Sequence, residues 1–427
     1  MKKNVQFIIA LMSCWWQFTS AMAQGFTTNN ANGQLIDACG NNFIMKGINV
    51  PLAWYPNEVN GSIAALKNNS KSNCLRIVVQ TNTSDNIWQT SVVNCINNKI
   101  IPMVELHDVT GSTDVSALRR MGEFWASKAS FFNNTNFNGV NIKRHILINL
   151  GNEWGTWQTA TNKNTVWRDA VINAIKPMRE AGISTTIVID AVGYGQDIDD
   201  AYNLRTYGKD IQRADNTFLG GSNNSTEKAN LLFSIHMYCE WKKGGDNIGI
   251  INTIKNSGIP VIVGEFGYQH ATDGSCDIDE QMIINTCQQS GIGWLAWSQK
   301  GNGGGVEYLD LCLDWSCSQL SNWGNTVING TNGTKTAVES AIFSSACPIV
   351  TFVEHTSSTQ EMKAYPIPFQ TTFSLENIKG LVPEVYNAKG ELLETIEDEE
   401  LQHIGGGYEQ GLYLVKVGNK YIKIIKE

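Results

Sequence analysis

Glu153 and Glu265 each stand at the end of a short apolar run, Ile146 to Leu150 in the first case and Val261 to Val263 in the second. Other runs deliver Arg76, His107 with Asp108, Asn152, Asp190, His236 with Tyr238, and Trp297 to the same kind of position. A carboxylate at such a place is either an ion-pair partner or a group set there to react. Two of them suit the hydrolysis of an acetal: one carboxyl protonates the departing oxygen while an ionised one meets the carbon left behind. Trp54, Trp154, Trp157, Trp241 and Trp297 add flat apolar faces of the kind that stack on sugar rings. Each residue alone has a plainer reading. Arg76 can neutralise a buried acid, His236 can be a satisfied core histidine, and a tryptophan can simply pack. The coincidence carries the inference, because gathering so many ionisable groups at strand ends is costly unless they pair or act.

The elements that must position these groups follow from the apolar pattern. Val- and Ile-rich runs occur at 43–50, 74–79, 100–106, 145–150, 186–191, 231–237, 260–265 and 293–297, and read as buried parallel strands. Mixed or amphipathic segments separate most of them, among them 84–98, 114–132, 163–181 and 277–290, several opened by a Ser, Thr or Asp suited to cap a helix. Eight strands alternating with helices predict an α/β fold, a (β/α)8 TIM barrel whose active face lies at the strand C-termini. An open doubly wound sheet is the alternative, but no glycine fingerprint follows the first strand. In the barrel, strands four and seven face one another across the mouth, so Glu153 and Glu265 are expected to meet there.

The chain has 427 residues, of which 42% are hydrophobic, enough for a large core and an appendage. Residues 1–23 run from Lys2-Lys3 through an apolar stretch to Ala21-Met22-Ala23, the order of a secretory signal peptide. Removing two lysines and no acid takes the net charge from −8 to −10, a balance unsuited to nucleic acid. Of ten cysteines, nine remain after residue 23, so at least one is expected to be free. Spacing suggests that Cys312 and Cys317, Cys276 and Cys287, and Cys74 and Cys95 could pair, though connectivity does not follow from sequence. No C-x-x-C pair marks a zinc site, and no metal or cofactor is expected. Beyond Cys347 the character changes. Residues 348–360 read as a linker, and 361–427 alternate apolar and polar residues as a small antiparallel, sandwich-like β-domain. Lys416, Lys420, Lys423 and Lys426 are expected on its solvated face.

The segments GINVPLAWYPN, VELHDVTG, LINLGNEWGTW, VIDAVGYGQ, FSIHMY, VIVGEFGYQH, GWLAWSQKGN and GNTVING, in that order, resemble the catalytic domain of family 5 glycoside hydrolases, most closely the bacterial endo-β-1,4-mannanases of the subfamily 8 type. The resemblance spans most of 25–344. It implies a retaining endo-hydrolase of mannan, glucomannan or galactomannan, with Glu153 as acid/base and Glu265 as nucleophile. It further implies that Arg76 and Tyr238 hold the nucleophile, Asn152 binds the sugar 2-hydroxyl, His107 and His236 line the cleavage subsite, and Trp297 forms its floor. Trp54 and Trp157 are expected to bind further sugars. Where such enzymes tend to read Trp-Ser-Trp, this chain has Trp297-Ser298-Gln299, which implies a missing aromatic contact near a neighbouring subsite. The tail segments YPIPF, VYNAKGELL and GLYLVKVGNKYIKIIK resemble a C-terminal sorting domain of the type IX secretion route. The expected organisation is therefore a signal peptide at 1–23, a catalytic barrel at 24–347, a linker at 348–360 and a sorting domain at 361–427. The expected partners are the polysaccharide and, through the tail, the secretion machinery; the enzyme is expected to be monomeric and either secreted or held at the cell surface. The alternatives are an endo-β-1,4-glucanase of the same family and a non-catalytic polysaccharide-binding protein.

Overall fold

Eight short parallel strands, each flanked on both faces by apolar side chains, need cover on both faces and can gain it by closing on one another inside a ring of helices. They do so in the computed structural model, which describes residues 25–242, 248–268, 276–345, 347, 363–376, 382–396, 401, 403–417 and 420–427. The expected signal peptide and linker lie outside the described residues. Two antiparallel strands come first, β1 (Thr27–Asn29) and β2 (Gln34–Ile36). The barrel strands are β3 (Lys46–Val50), β4 (Cys74–Val79), β5 (Ile101–Leu106), β6 (Leu147–Asn149), β7 (Ile187–Asp190), β8 (Leu231–Met237), β9 (Val261–Phe266) and β10 (Trp294–Ala296). They pair in chain order, and β10 closes onto β3. Every residue of these strands is buried. The open doubly wound alternative is thereby set aside.

The helices between them obey local rules. α1 (Pro56–Ser70) begins with proline in its first turn, where the missing N–H costs nothing. α2 (Asp85–Asn97) follows β4. α3 (Val115–Ser127) is capped by Asp114, whose carboxylate accepts the Ser116 N–H, and a short α4 (Ala129–Phe132) continues it after Lys128 breaks the helix. α5 (Ile142–His145) and α6 (Trp157–Thr161) are single turns around β6. α7 (Val166–Glu180) turns Trp167, Ala170, Val171, Ala174, Ile175 and Met178 inward. It packs so closely on α3 that a side chain at Gly122 would meet the Ala174 carbonyl at 1.8 Å. α8 (Ile198–Phe218), α9 (Ile250–Asn256) and α10 (Glu280–Ser290) complete the ring, the last capped by Asp279 and ended by Gly291 with φ 61°.

At the strand N-termini Phe26, Leu35, Phe43 and Met45 seal the barrel against Met103, Leu147, Val188 and Leu295. A disulfide between Cys39 and Cys347, 308 residues apart, ties the start of this unit to its end. The other bonds are Cys239–Cys276 and Cys312–Cys317. Two of the pairings suggested by spacing are therefore corrected: Cys276 bonds Cys239 rather than Cys287, and Cys74, Cys95 and Cys287 are buried free thiols. Burial pushes all three thiols up, away from the reactive thiolate.

The chain divides into two compact units, Met1–Pro348 and Ile349–Glu427. In the second, β11 (Lys363–Tyr365) pairs with β12 (Ser374–Glu376). A separate antiparallel sheet has the order β14 (Leu392–Thr395), β13 (Pro383–Asn387), β15 (Gly411–Val417), β16 (Lys420–Lys426). Phe369, Phe373, Val385, Val415 and Ile424 form its own core. Lys423 is exposed as expected, but Lys416 pairs with Glu384 at 2.7 Å and Lys426 lies over the Phe369 ring.

Candidate active site

Seven of the eight barrel strands give up an apolar position to a polar one that helps build the site, Arg76 midway along β4 and the others towards the strand C-termini: Asn49 on β3, Glu105 on β5, Asn149 on β6, Asp190 on β7, His236 on β8 and Glu265 on β9. All are buried, so each must be satisfied by another. Arg76 does most of this. Its guanidinium donates to Glu265 Oε1 at 2.6 Å, Asn152 Oδ1 at 2.7 Å, Asn149 Oδ1 at 2.8 Å, Asn49 Oδ1 at 3.1 Å and Asp190 Oδ2 at 3.4 Å. Burial works against its charge, but the carboxylates of Glu105, Glu265, Asp190 and Glu153 more than compensate and raise its pKa.

Glu265 is held at both oxygens, by Arg76 on Oε1 and by the Tyr238 hydroxyl on Oε2 at 3.0 Å. Glu153 follows β6 on a turn that a non-glycine residue rarely makes, with φ 49°. Its N–H donates to Asp190 Oδ2 at 3.1 Å and its carbonyl accepts the Gly111 N–H at 2.9 Å. Its Oε1 lies 2.8 Å from His236 Nδ1. The other imidazole nitrogen is 3.4 Å from Asp190 Oδ2, a charge contact without good hydrogen-bond alignment. The His236 ring is pressed against Gly195, whose φ of +71° and missing side chain make room for it; a Cβ there would come within 2.6 Å of the ring.

The electrostatics follow from that packing. Burial would lower the His236 pKa, but Glu265, Asp190 and Glu153 outweigh it and push the imidazolium up to about 10. Burial and the charges of Glu265 and Glu153 push the Tyr238 phenol up, so it remains a donor. Burial alone would also raise Asp190, yet His236 and Arg76 hold it well below the usual carboxylate range. His107 sits 3.0 Å from Glu105, whose charge overcomes burial and raises the imidazole.

One ligating atom each of Glu153, His236 and Glu265 lies within 4.8 Å of the others. The set has the size of a cation site, but Arg76 and a charged His236 already supply the positive charge. It fits the handling of protons better than the holding of a metal. Two carboxyl groups about 5–5.5 Å apart leave no room for a water between them, so the second attacks carbon directly, whereas about 6.5–9.5 Å admits one. An oxygen of Glu153 lies within 4.8 Å of one of Glu265, a close approach that suits the first case.

These groups open onto a cleft of about 420 Å³ lined by His107, Asn152, Glu153, Trp157, Tyr238, Glu265 and Trp297. Arg76 and His236 lie beneath it, fully buried. His107 stacks on Trp297 at 5.9 Å and meets Trp54 edge-on at 5.3 Å. Trp54 is 47% exposed and Trp157 38%, the latter beside Tyr194. Two of the five tryptophans singled out in the sequence are corrected. Trp154 and Trp241 are 3% and 2% exposed, their indole N–H groups bonded to the carbonyls of Asp114 and Gln196, and serve as packing under the loops. Gln299 is wholly buried, bonded to Ser62 and the Trp315 carbonyl, and is not among the residues lining the cleft. Sequence reading missed Tyr194, Gln196, Val306, Tyr308 and Leu309, which complete the cleft from loops without periodic pattern. It also passed over Asn49, Glu105 and Asn149, although a lone polar residue inside an apolar strand marks each.

A family model described as cellulase (glycosyl hydrolase family 5) matches residues 36–303. The chain is 33% identical over 321 residues to the mannan endo-1,4-beta-mannosidase of Salipaludibacillus agaradhaerens, covering 72% of this chain and 93% of that one. It is similar in structure to the β-mannanase from Thermomonospora fusca, with TM-score 0.64 and 30% identity over 75% of this chain and all of the other. The mannohexaose complex of that enzyme matches with TM-score 0.63 over the same shares.

Proposed function

The chain belongs to glycosyl hydrolase family 5, and on that footing we propose that it hydrolyses internal β-1,4-mannosidic bonds of mannan, glucomannan or galactomannan with retention of configuration. The observation that carries the reading is the Glu153–Glu265 pair, with Arg76 and Tyr238 on one carboxylate and His236 on the other. The names of its relatives supply the sugar. Glu265 attacks the anomeric carbon as the bond to the leaving oxygen breaks, and Glu153 gives that oxygen its proton. Glu153, now a carboxylate, then takes a proton from water. The water oxygen displaces Glu265 and forms the product hydroxyl on the original face. Arg76 and Tyr238 keep Glu265 aimed by hydrogen bonds to its two oxygens, and Trp297, stacked with His107, offers the sugar an apolar face. Asn152, bound to Arg76 through its oxygen, would meet the sugar 2-hydroxyl. Trp54 and Trp157 would hold further sugars of the chain. A silent binding protein would have no use for two carboxyl groups so closely placed.

Endo-β-1,4-glucanase activity is the second reading, favoured by the description of the matching family model. Glucose and mannose differ only at the 2-hydroxyl. Reducing-sugar release from mannan, glucomannan and carboxymethyl cellulose separates them: turnover on mannan with little on carboxymethyl cellulose is expected, and the reverse order would transfer the assignment to glucan. We also infer export through residues 1–23 and a sorting role for 361–427, with a monomeric enzyme released or held at the cell surface. The residue order of the leader and the segments YPIPF and VYNAKGELL support this.

A further inference from the structure

Asp190 touches no part of the cleft, yet it reaches the group that must deliver the proton. We propose that Asp190 is a positioning residue, whose carboxylate fixes the acid/base Glu153 from behind through both its backbone and its imidazole partner. This rests on the acid/base role proposed for Glu153 and extends it.

A glutamate at φ 49° occupies a strained region that persists only where its surroundings over-determine it. At Glu153 the backbone is clamped on both sides, by its N–H to Asp190 Oδ2 at 3.1 Å and by the Gly111 N–H to its carbonyl at 2.9 Å. The side chain is clamped by His236 Nδ1 at 2.8 Å, and the far side of that ring lies 3.4 Å from the same Asp190 oxygen. One carboxylate oxygen thus governs where the Glu153 backbone turns and where its carboxyl points. Asp190 is itself held: it ends β7, its Oδ1 accepts the Asn149 amide at 3.1 Å, and Arg76 lies 3.4 Å from its Oδ2. Glu265 also lies 3.7 Å from His236 Nδ1, but its two hydrogen bonds come from Arg76 and Tyr238, and Arg76 keeps Asn49, Asn149, Asn152 and Glu265 as partners without Asp190. Loss of Asp190 should therefore disturb the proton delivered by Glu153 far more than the attack by Glu265.

That asymmetry can be measured. Bond cleavage in an aryl β-mannobioside with a dinitrophenyl leaving group needs no proton, whereas a phenyl leaving group does. We expect Asp190→Ala to lose about 100-fold in kcat/KM on the phenyl substrate and less than about 5-fold on the dinitrophenyl one, following the cost of a misplaced acid. Asp190→Asn, which keeps an oxygen for the Glu153 N–H, should recover part of the loss. Rates are taken per active site, counted from the dinitrophenolate burst, so a poorly folding variant still gives an answer. Equal losses on both substrates, or none, would overturn the proposal. Glu153→Ala is the reference. If it shows no leaving-group dependence the acid/base assignment itself fails, and if it does while the Asp190 variants do not, only the role of Asp190 fails.

Discussion

Glu153 and Glu265 differ less in chemistry than in what holds them, and that difference assigns their work. Glu265→Ala should abolish turnover on mannan, with azide restoring cleavage of an activated aryl mannoside through the vacated face; Glu153→Ala should be slowed about 10²–10⁴-fold on polymer yet retain the activated substrate. Near-native rates for both variants on mannan would refute the pairing. His236 gives a pH signature. Its folded pKa of about 10 lies above the ordinary 6.5, so the folded state binds the extra proton between those values. The stability it contributes is complete below pH 6.5 and lost as pH rises through about 10. Thermal unfolding from pH 6 to 10 should show Tm falling with pH, and His236→Gln should flatten that slope. If the slope is unchanged, His236 is not the charged member of the network. Glu153, Glu265, His236 and Tyr238 were legible because each stands at or just past the end of an apolar run, and Arg76 because it is a lone charge inside one. Trp154 and Trp241 misled because an indole beside loop glycines looks the same in sequence whether it faces sugar or packs beneath the loop.

At the scale of elements the eight strands were legible in position and order, since runs buried on both faces leave little ambiguity. The helices α1 and α8 stood out less. The apolar positions of α1 are few, and α8 opens with Asp199, Asp200 and Ala201 at positive φ, so neither starts with a recognisable cap. Of the cysteine pairs, the local Cys312–Cys317 bond was legible from its spacing, whereas Cys39 and Cys347 are brought together only by closure of the barrel, which no local spacing records. Cys39→Ser should cost about 2–5 kcal/mol, seen as a lower Tm, with kcat per folded molecule unchanged because the bond lies at the strand N-termini. A change in kcat without one in Tm would place it wrongly in the working face. Gly195→Ala should do the opposite. With φ +71° and the His236 ring 2.6 Å from the added carbon, it should lower kcat/KM at least about 10-fold by displacing His236. Wild-type kinetics in that variant would mean that His236 can move without consequence.

At the scale of the whole molecule the change of sequence character near Cys347 and the division into two compact units fall close together. The second unit has a core of its own, and every residue of the cleft belongs to the first. A chain of residues 24–347 should therefore fold and cleave mannan with the kcat and KM of the longer protein, while deletion of the tail in the native host should keep active enzyme from leaving the cell. A large fall in kcat for the purified shorter chain would show that the tail serves the barrel. The central claim is narrower than either of these: two carboxylates, within 4.8 Å at their nearest oxygens, work by double displacement on a mannosidic bond. Proton NMR of the first sugar released from a mannan oligosaccharide tests it directly. The β-anomer should appear first and the α-anomer only later, by mutarotation; an initial α-anomer would contradict double displacement.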